Sequence, residues 1–387
     1  MGDLKPGWKR VKFGEIAECV NDRVDDPAKA GVERYVGLEH LDPESLTIRR
    51  WGTPDEVEST KLRFKPGDII FGKRRAYQRK LAVADFEGIC SAHAMVLRAK
   101  PGRVIPEFLP FFMQSDLFME RAVAISVGSL SPTINWKTLA AEEFALPPLE
   151  EQRRTVALLG ASAAYQATAL DLVQVAEAAE QAEIQWWFRA RARWPSEPMN
   201  LVGQVQLGQQ KHPKYEAGIA PRPYLRVPNI TDGYLNLDEI AKMDFVGKDF
   251  VKHRLQPGDI LITEGDLIGP RTVGRSAMFR GEIEDCCIQK TILRFRPGPK
   301  LIPEYALWAC RHLRYDGVFA KASTGTTVAH LTSEKFKEVL MPIAPDDIQR
   351  EVVSAAARWS DTRGRILARA RSAEALHRGH IDSIWSG

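Results

Sequence analysis

Hydrophobic and polar positions alternate as in half-buried strands over residues 35–41 and 224–230, and turn residues follow each run, Asp42-Pro43 and Asp232-Gly233. Pro-Gly-Asp at 66–68 and at 257–259 predicts a tight turn into an apolar strand, Ile69-Ile70-Phe71 in one place and Ile260-Leu261-Ile262 in the other. Residues 106–119 and 303–313 open on Pro-Glu and carry apolar residues at helical spacing, so each predicts a helix. Residues 150–192 behave differently. They are rich in Ala, Glu, Gln and Leu, with Gly160 as the one glycine and no proline. Val156, Leu159, Ala163, Gln166, Leu170 and Val173 step by threes and fours, the spacing of a coiled-coil seam. The seam weakens at Glu177 and Glu180 and resumes at Ile184 and Trp187. Val352, Ala356, Trp359, Arg363, Ile366, Ala370 and Ala373 form a second seam, and its alanines allow close approach of a partner helix. Pro195 and Pro198 mark the end of the first helical tract.

These segments are two copies of one arrangement. KPGDIIFGK (65–73) recurs as QPGDILITE (256–264), and IPEFLPFF (105–112) as IPEYALWA (302–309). SVGSLSPTINWKTL (126–139) recurs as STGTTVAHLTSEKF (323–336), and LPPLEEQRRTV (146–156) as IAPDDIQREVV (343–353). The last three pairs share an offset of 197 residues and the first an offset of 191, so the copies differ by a short loop length. A period this long excludes a solenoid. The expected fold class is α+β: two similar mixed α/β domains, residues 1–149 and 196–345, separated by two long antiparallel helices, 150–195 and 346–387, that form a coiled coil in a pseudo-twofold repeat.

The totals fit this division. The chain has 387 residues, long enough for two or three domains, with 44% hydrophobic and 27% charged residues, a globular composition. No run of apolar residues suggests a membrane span and the N-terminus shows no apolar leader, so a cytoplasmic location is expected. The five cysteines, Cys19, Cys90, Cys286, Cys287 and Cys310, form no CxxC pair, which argues against a zinc site or disulfide scaffold and for buried or idle thiols. A net charge of +4 permits a nucleic-acid partner without demanding one.

The order of motifs resembles the specificity subunits of type I restriction–modification systems. It runs from W-x-x-V-x-F-G-E-I (Trp8 to Ile16) through P-G-D-I-I-F and G-S-L-S-P-T-I-N-W (Gly128 to Trp136) to L-P-P-L-x-E-Q (Leu146 to Gln152) at the start of a helix. The second copy departs from the pattern: Pro342-Ile343-Ala344-Pro345-Asp346-Asp347-Ile348-Gln349 keeps Gln349 but loses the paired prolines, which leaves open how its helix starts. The resemblance implies that each globular domain is a target-recognition domain reading one half of a split target in double-stranded DNA. It implies that the helices space the half-sites and dock two methylase subunits, which a restriction subunit can join. Methyl transfer from S-adenosylmethionine to adenine then belongs to the methylase, and this chain carries no cofactor, metal or catalytic residue. The helical length agrees with a spacer: residues 152–189 span about 57 Å as a helix, against roughly 34 Å for one turn of B-DNA.

DNA-contacting candidates follow from residue chemistry. Lys73, Arg74, Arg75, Arg79 and Lys80 surround Tyr77 directly after a strand; five cations with an aromatic suit phosphate, and an arginine can read guanine bidentately. The alternative is a solvated charged loop. The matching stretch of copy two holds Arg271, Thr272 and Arg275 together with Glu264 and Asp266, a divergence that fits either a different base sequence or plain loop drift. Ser129, Ser131, Thr133, Asn135 and Lys137, with their mates Thr324, Thr326, Thr327 and His330, form hydroxyl-rich stretches that either bond phosphates and base edges or cap the helix that follows. Arg226 and Asn229 lie in a strand-and-turn segment and are weaker candidates.

Enzyme readings find less support. GDIIFGKR (67–74) fits part of a phosphate loop, but Arg74 stands where the magnesium-binding Ser or Thr belongs and no helix is expected after it. No HExxH is present, the single Pro-Pro is followed by Leu149 rather than an aromatic residue, and His377 and His380 share a helix face as solvent-facing polarity. A protein-interaction scaffold, and a specificity subunit of a related methylation system without a type I nuclease, remain as alternatives.

Overall fold

The computed structural model describes residues 4–189, 194–215, 218–265, 273–323 and 330–385. The chain divides into two compact units, Met1–Leu170 with Arg369–Gly387, and Asp171–Ala368. Each unit holds one mixed α/β body and part of both long helices.

In the first unit, Ala17–Val20, Ala94–Ala99, Ile69–Gly72 and Leu81–Val83 form an antiparallel sheet in that spatial order. A second sheet runs Arg23–Val24, Lys61–Phe64, Gly88–Ser91, Tyr35–Val36, its last pair parallel. The second unit repeats the path. Gly203–Leu207, Ile292–Pro297, Ile260–Thr263 and Ser276–Met278 form its first sheet. Ala241–Asp244, Pro221–Leu225 and Cys287–Ile288 form the other, again with a parallel last pair. The apolar strand after each Pro-Gly-Asp is buried on both faces, which its unbroken hydrophobic run requires. Ile69 and Phe71 point into one core and Ile70 into another; Ile260 and Ile262 do the same opposite Leu261.

The Pro-Gly-Asp turns are built alike. Gly67 and Gly258 take φ of +87° and +92°, left-handed values that glycine adopts without a Cβ penalty. The buried carboxylates of Asp68 and Asp259 accept from the backbone N–H of Lys65 (3.0 Å) and Gln256 (2.8 Å). Each also takes a two-pronged bond from an arginine on the neighbouring strand, Arg98 at 2.7 and 2.9 Å and Arg296 at 2.6 and 2.8 Å.

Two expectations need correction. The strands at 35–41 and 224–230 are shorter: 3-10 turns at Leu38–His40 and Val227–Asn229 end them, the second opened by Pro228. The helix expected over 106–119 is two helices, Phe108–Gln114 and Asp116–Ala124. Ser115 turns extended between them and its hydroxyl caps the N–H of Phe118. Its counterpart, Pro303–Tyr315, is continuous.

The long helices run Leu149–Arg189 and Asp346–Trp385. Both start through the same device despite the lost prolines of the second copy. Gln152 (1% exposed) accepts from the N–H of Ile105 at 2.9 Å and donates to the carbonyls of Pro147 at 2.9 Å and Arg103 at 3.5 Å. Gln349 (3% exposed) accepts from Ile302 at 2.8 Å and donates to Ala344 and Lys300, both at 2.9 Å.

Within each unit the two helices pack antiparallel. In the first, Leu159 meets Ile381, Ser162 meets His377 at 2.7 Å, and Tyr165 accepts from Arg369 at 3.1 Å. In the second, Glu180 pairs with Arg363, and Ile184, Trp187 and Phe188 share a core with Val352 and Ala355. Two seam assignments change. Glu180, where the pattern weakens, is a buried seam residue: Arg311 grips it with two bonds of 2.8 and 2.9 Å, Arg363 adds a third contact, and Asp232 holds Arg311 Nε at 3.2 Å. His377 is buried, not solvent-facing, because Ser162 satisfies its Nδ1 inside the helix pair. The first helix also departs from the expectation that no stretch approaches a membrane span. By length and composition alone it is long and apolar enough to cross a bilayer.

The helix starts and the seam can each be tested by substitution. Gln152→Leu leaves one buried N–H and two carbonyls without partners and is expected to cost about 2–4 kcal/mol. Gln349→Leu is expected to cost a similar amount. Urea unfolding measures both, and a loss below about 0.5 kcal/mol, the range of neutral surface changes, would refute the role. Burial, with His380 nearby, lowers the His377 pKa, so the folded protein prefers the neutral ring. The stabilising contribution is then complete above the ordinary value of about 6.5 and drains away as pH falls from there toward the lowered folded value. Melting temperatures at pH 7 and pH 5 should therefore differ less in His377→Asn than in the parent protein.

Candidate nucleic-acid interface

In the first unit the fold joins two candidate segments that lie more than fifty residues apart. The strand Ile69–Gly72 delivers Lys73 and Arg74 to the surface. Lys73 O accepts from Ile134 N–H at 3.0 Å, Arg74 pairs with Thr133 as an antiparallel bridge, and Arg75 N–H donates to Pro132 O at 2.8 Å. Arg75 sits at φ +58°, uncommon for a residue with a Cβ, and its guanidinium donates to Ser131 Oγ at 3.2 and 3.3 Å. Val127 and Thr133 exchange two backbone bonds of 3.0 Å, closing a small loop. Gly128 (φ +119°), Ser129 and Leu130 form its tip, and Leu130 is 90% exposed. Tyr77 is exposed in the 3-10 turn Ala76–Gln78.

The remaining cations of this stretch are engaged internally. Arg79 donates to Gln114 O at 2.6 Å and pairs with Asp116 at 2.7 Å and Glu44 at 3.3 Å; Lys80 donates to Leu38 O at 2.7 Å. Asn135 accepts from Lys137 N–H at 2.9 Å and caps the helix Trp136–Ala141, which leaves the Lys137 side chain exposed. Sequence reasoning missed His93. It lies in the turn between Gly88–Ser91 and Ala94–Ala99, its carbonyl accepts from Arg74 N–H at 3.3 Å, and its Nε2 lies 3.2 Å from the Arg74 guanidinium. Burial, then Arg74, Lys73 and Lys61, lower its pKa, so the ring is neutral near pH 7. Sequence spacing held no signal for it, since only the sheet brings it to Arg74.

The second unit carries the same framework with other side chains. Gly265 bridges His330, and Leu331 N–H donates to Glu264 O at 2.7 Å, the counterparts of Arg74 with Thr133 and of Ile134 with Lys73. Thr332 caps Ser333–Glu338 where Asn135 caps its helix. Burial raises the Glu264 pKa, and His330 opposes the rise. Arg275 directly precedes the return strand Ser276–Met278, its N–H donating to Thr263 Oγ1 at 3.1 Å. Arg271, Thr272, Thr324, Thr326 and Thr327 lie outside the described residues. Arg226 pairs with Glu239 at 2.9 Å. Asn229 is buried: it accepts from Arg226 N–H at 2.8 Å and donates to Asn236 O and Glu239 O at 2.9 Å, so it shapes the turn.

Nothing in these surfaces assembles a metal centre: among the described residues no three His, Cys, Asp or Glu side chains converge. The cysteines are all free thiols; Cys90, Cys286 and Cys287 are buried and pushed up to about 12, far from a reactive thiolate.

Residues 6–164 match the family model of the type I restriction modification DNA specificity domain. The type I restriction enzyme EcoDI specificity subunit of Escherichia coli is 30% identical over 156 residues, 38% of this chain and 33% of that protein. That match covers about a third of the curated relative's length. A chain from a structure of complex assembly and conformational transition of the type I R-M system aligns over 98% of this chain and 97% of its own, with 21% identity and a TM-score of 0.53. The type I restriction-modification S subunit from M. genitalium aligns over 100% and 98%, with 12% identity and the same TM-score. At these identities the two structures attest the fold alone, and the family model and the curated relative attest a likeness over less than half of the chain. Residues 6–164 thus resemble the type I restriction modification DNA specificity domain, within a fold that duplicates its sheets and pairs two long helices.

Proposed function

We propose that this chain is the non-catalytic DNA-reading subunit of a type I methylation complex, each unit reading one part of a two-part target in double-stranded DNA. The observation that carries the reading is the shared framework with divergent side chains. The same backbone bridge joins the same two loops in both units, yet one presents Lys73, Arg74, Arg75 and Ser131 and the other Glu264, Gly265 and His330. Two readers of different base sequences need that combination. Lys73, Arg74, Arg75, Tyr77, Ser129, Leu130, Ser131, Thr133 and Lys137 form the DNA-facing surface of the first unit, while Arg79 and Lys80 hold its shape. Two methylase subunits supply S-adenosylmethionine and adenine chemistry, a restriction subunit joins through them, and the assembly acts in the cytoplasm.

The complex with methylase is expected to protect two short stretches of duplex separated by unread base pairs; one continuous footprint overturns the reading. Arg74→Ala with Arg75→Ala should weaken binding about 10- to 100-fold and lower the slope of log affinity against log salt by roughly 1 for each phosphate left without its arginine. Adenine-methylation mapping in the host should then show the first half-site relaxed and the second intact. Leu130→Ser should weaken binding with the salt slope unchanged, because an apolar side chain on a base edge releases no counterion. An altered slope in that variant contradicts its placement.

A further inference from the structure

The 197-residue offset between the copies also aligns the packing of their long helices. In the second unit Arg311, Glu180 and Arg363 form a buried ion cluster, with the Arg311 guanidinium at its centre. The corresponding positions of the first unit are Gln114, His377 and Gln166. All three line one cavity of about 230 Å³. Where the second unit has the central arginine the first has a shorter neutral amide, and where it has Glu180 and Arg363 on the helices the first has a histidine and a glutamine.

The floor of this cavity is polar and unsatisfied. Gln114 is 5% exposed, and neither its amide oxygen nor its amide nitrogen has a hydrogen-bond partner. A buried amide left in that state is costly. Ser162 donates its hydroxyl proton to Leu159 O at 3.1 Å, so at 2.7 Å its oxygen accepts from His377 Nδ1–H. That assigns the proton to Nδ1 and leaves Nε2 as an acceptor.

The rim adds more acceptors. Glu44, Asp116 and Glu374 supply three carboxylates against two guanidinium groups, Arg79 and Arg378. Both arginines are already paired, Arg79 with Glu44 and Asp116, Arg378 with Glu44 and Glu374. One negative charge is in excess, and what the site lacks is a donor-rich cation.

We propose that this cavity binds a small guanidinium cation, which takes in the first unit the position that the Arg311 side chain occupies in the second. A planar fork of N–H donors matches an amide oxygen, an imidazole nitrogen and carboxylates spread around one centre. A short aliphatic tail on the ligand lies against Ile381.

The test uses the full chain without DNA, so its outcome is independent of the DNA-reading role. Methylguanidinium is titrated by calorimetry or by shifts in the NMR spectrum. Saturable binding on the order of millimolar is expected for so small a ligand, with tetramethylammonium, a cation without donors, failing to compete. Gln114→Arg carries its own guanidinium into the site; it should melt at or above the parent temperature and lose methylguanidinium binding. Glu374→Gln on the exposed rim should keep the fold and bind several-fold more weakly. Equal binding of both cations, or parent-like affinity in Gln114→Arg, overturns the proposal. If Gln114→Arg does not fold, Glu374→Gln decides, and unchanged affinity there overturns it.

Discussion

Each long helix leaves its globular body through one buried glutamine, and the architecture depends on that bond set. A helix start has backbone N–H groups without intrahelical partners, and the loops packed beside it have carbonyls that water cannot reach. Gln152 and Gln349 each settle three backbone groups of the adjoining loops at once, one N–H and two carbonyls from two separate chain segments, and so tie the helix start to them. The amide is the one neutral side-chain group that offers both an acceptor and two donors from a single plane. An acid or a lysine in that position brings an unpaired charge, and an apolar residue strands the backbone. The paired prolines of the first copy therefore matter less than the glutamine, since the second copy lacks them and starts its helix with the same bonds.

A rigid framework of this kind lets the surface vary. The buried Asp–Arg pairs fix the Pro-Gly-Asp turns in both copies, and each turn aims a fully buried strand at the loop that follows. Beyond the strand, backbone bonds join the two candidate loops in both units, so the pairing does not depend on which side chains stand there. Lys73 and Arg74 of one unit and Glu264 and Gly265 of the other occupy equivalent places without disturbing the pairing. The side chains at these places can diverge because the scaffold does not depend on the residues it presents.

The helix pair shows the opposite case, in which one geometry carries two chemistries. The second unit buries a guanidinium between carboxylates, and the first replaces it with neutral groups around a cavity. Removing one member of a buried ion pair strands its partner, so the whole set changes together: Arg311, Glu180 and Arg363 correspond to Gln114, His377 and Gln166. This coordinated exchange also explains why periodicity misjudged Glu180 and His377. A hydrophobic pattern counts a charged residue as outward-facing, and only its partners on other elements make it an inward one.

The sequence by itself determined the duplication, the α+β class, the long paired helices, the Pro-Gly-Asp turns and the family resemblance, because each rests on local chemistry or on ordered motifs that survive at a fixed offset. Tertiary structure decided which candidates share a surface. It joined residues 73–75 to 131–134, added His93, withdrew Arg79, Lys80 and Asn229 into internal bonds, split one helix at Ser115 and shortened two strands. Those outcomes depend on hydrogen-bond partners tens of residues away, and a linear pattern contains the residue types of such partners but not their distances.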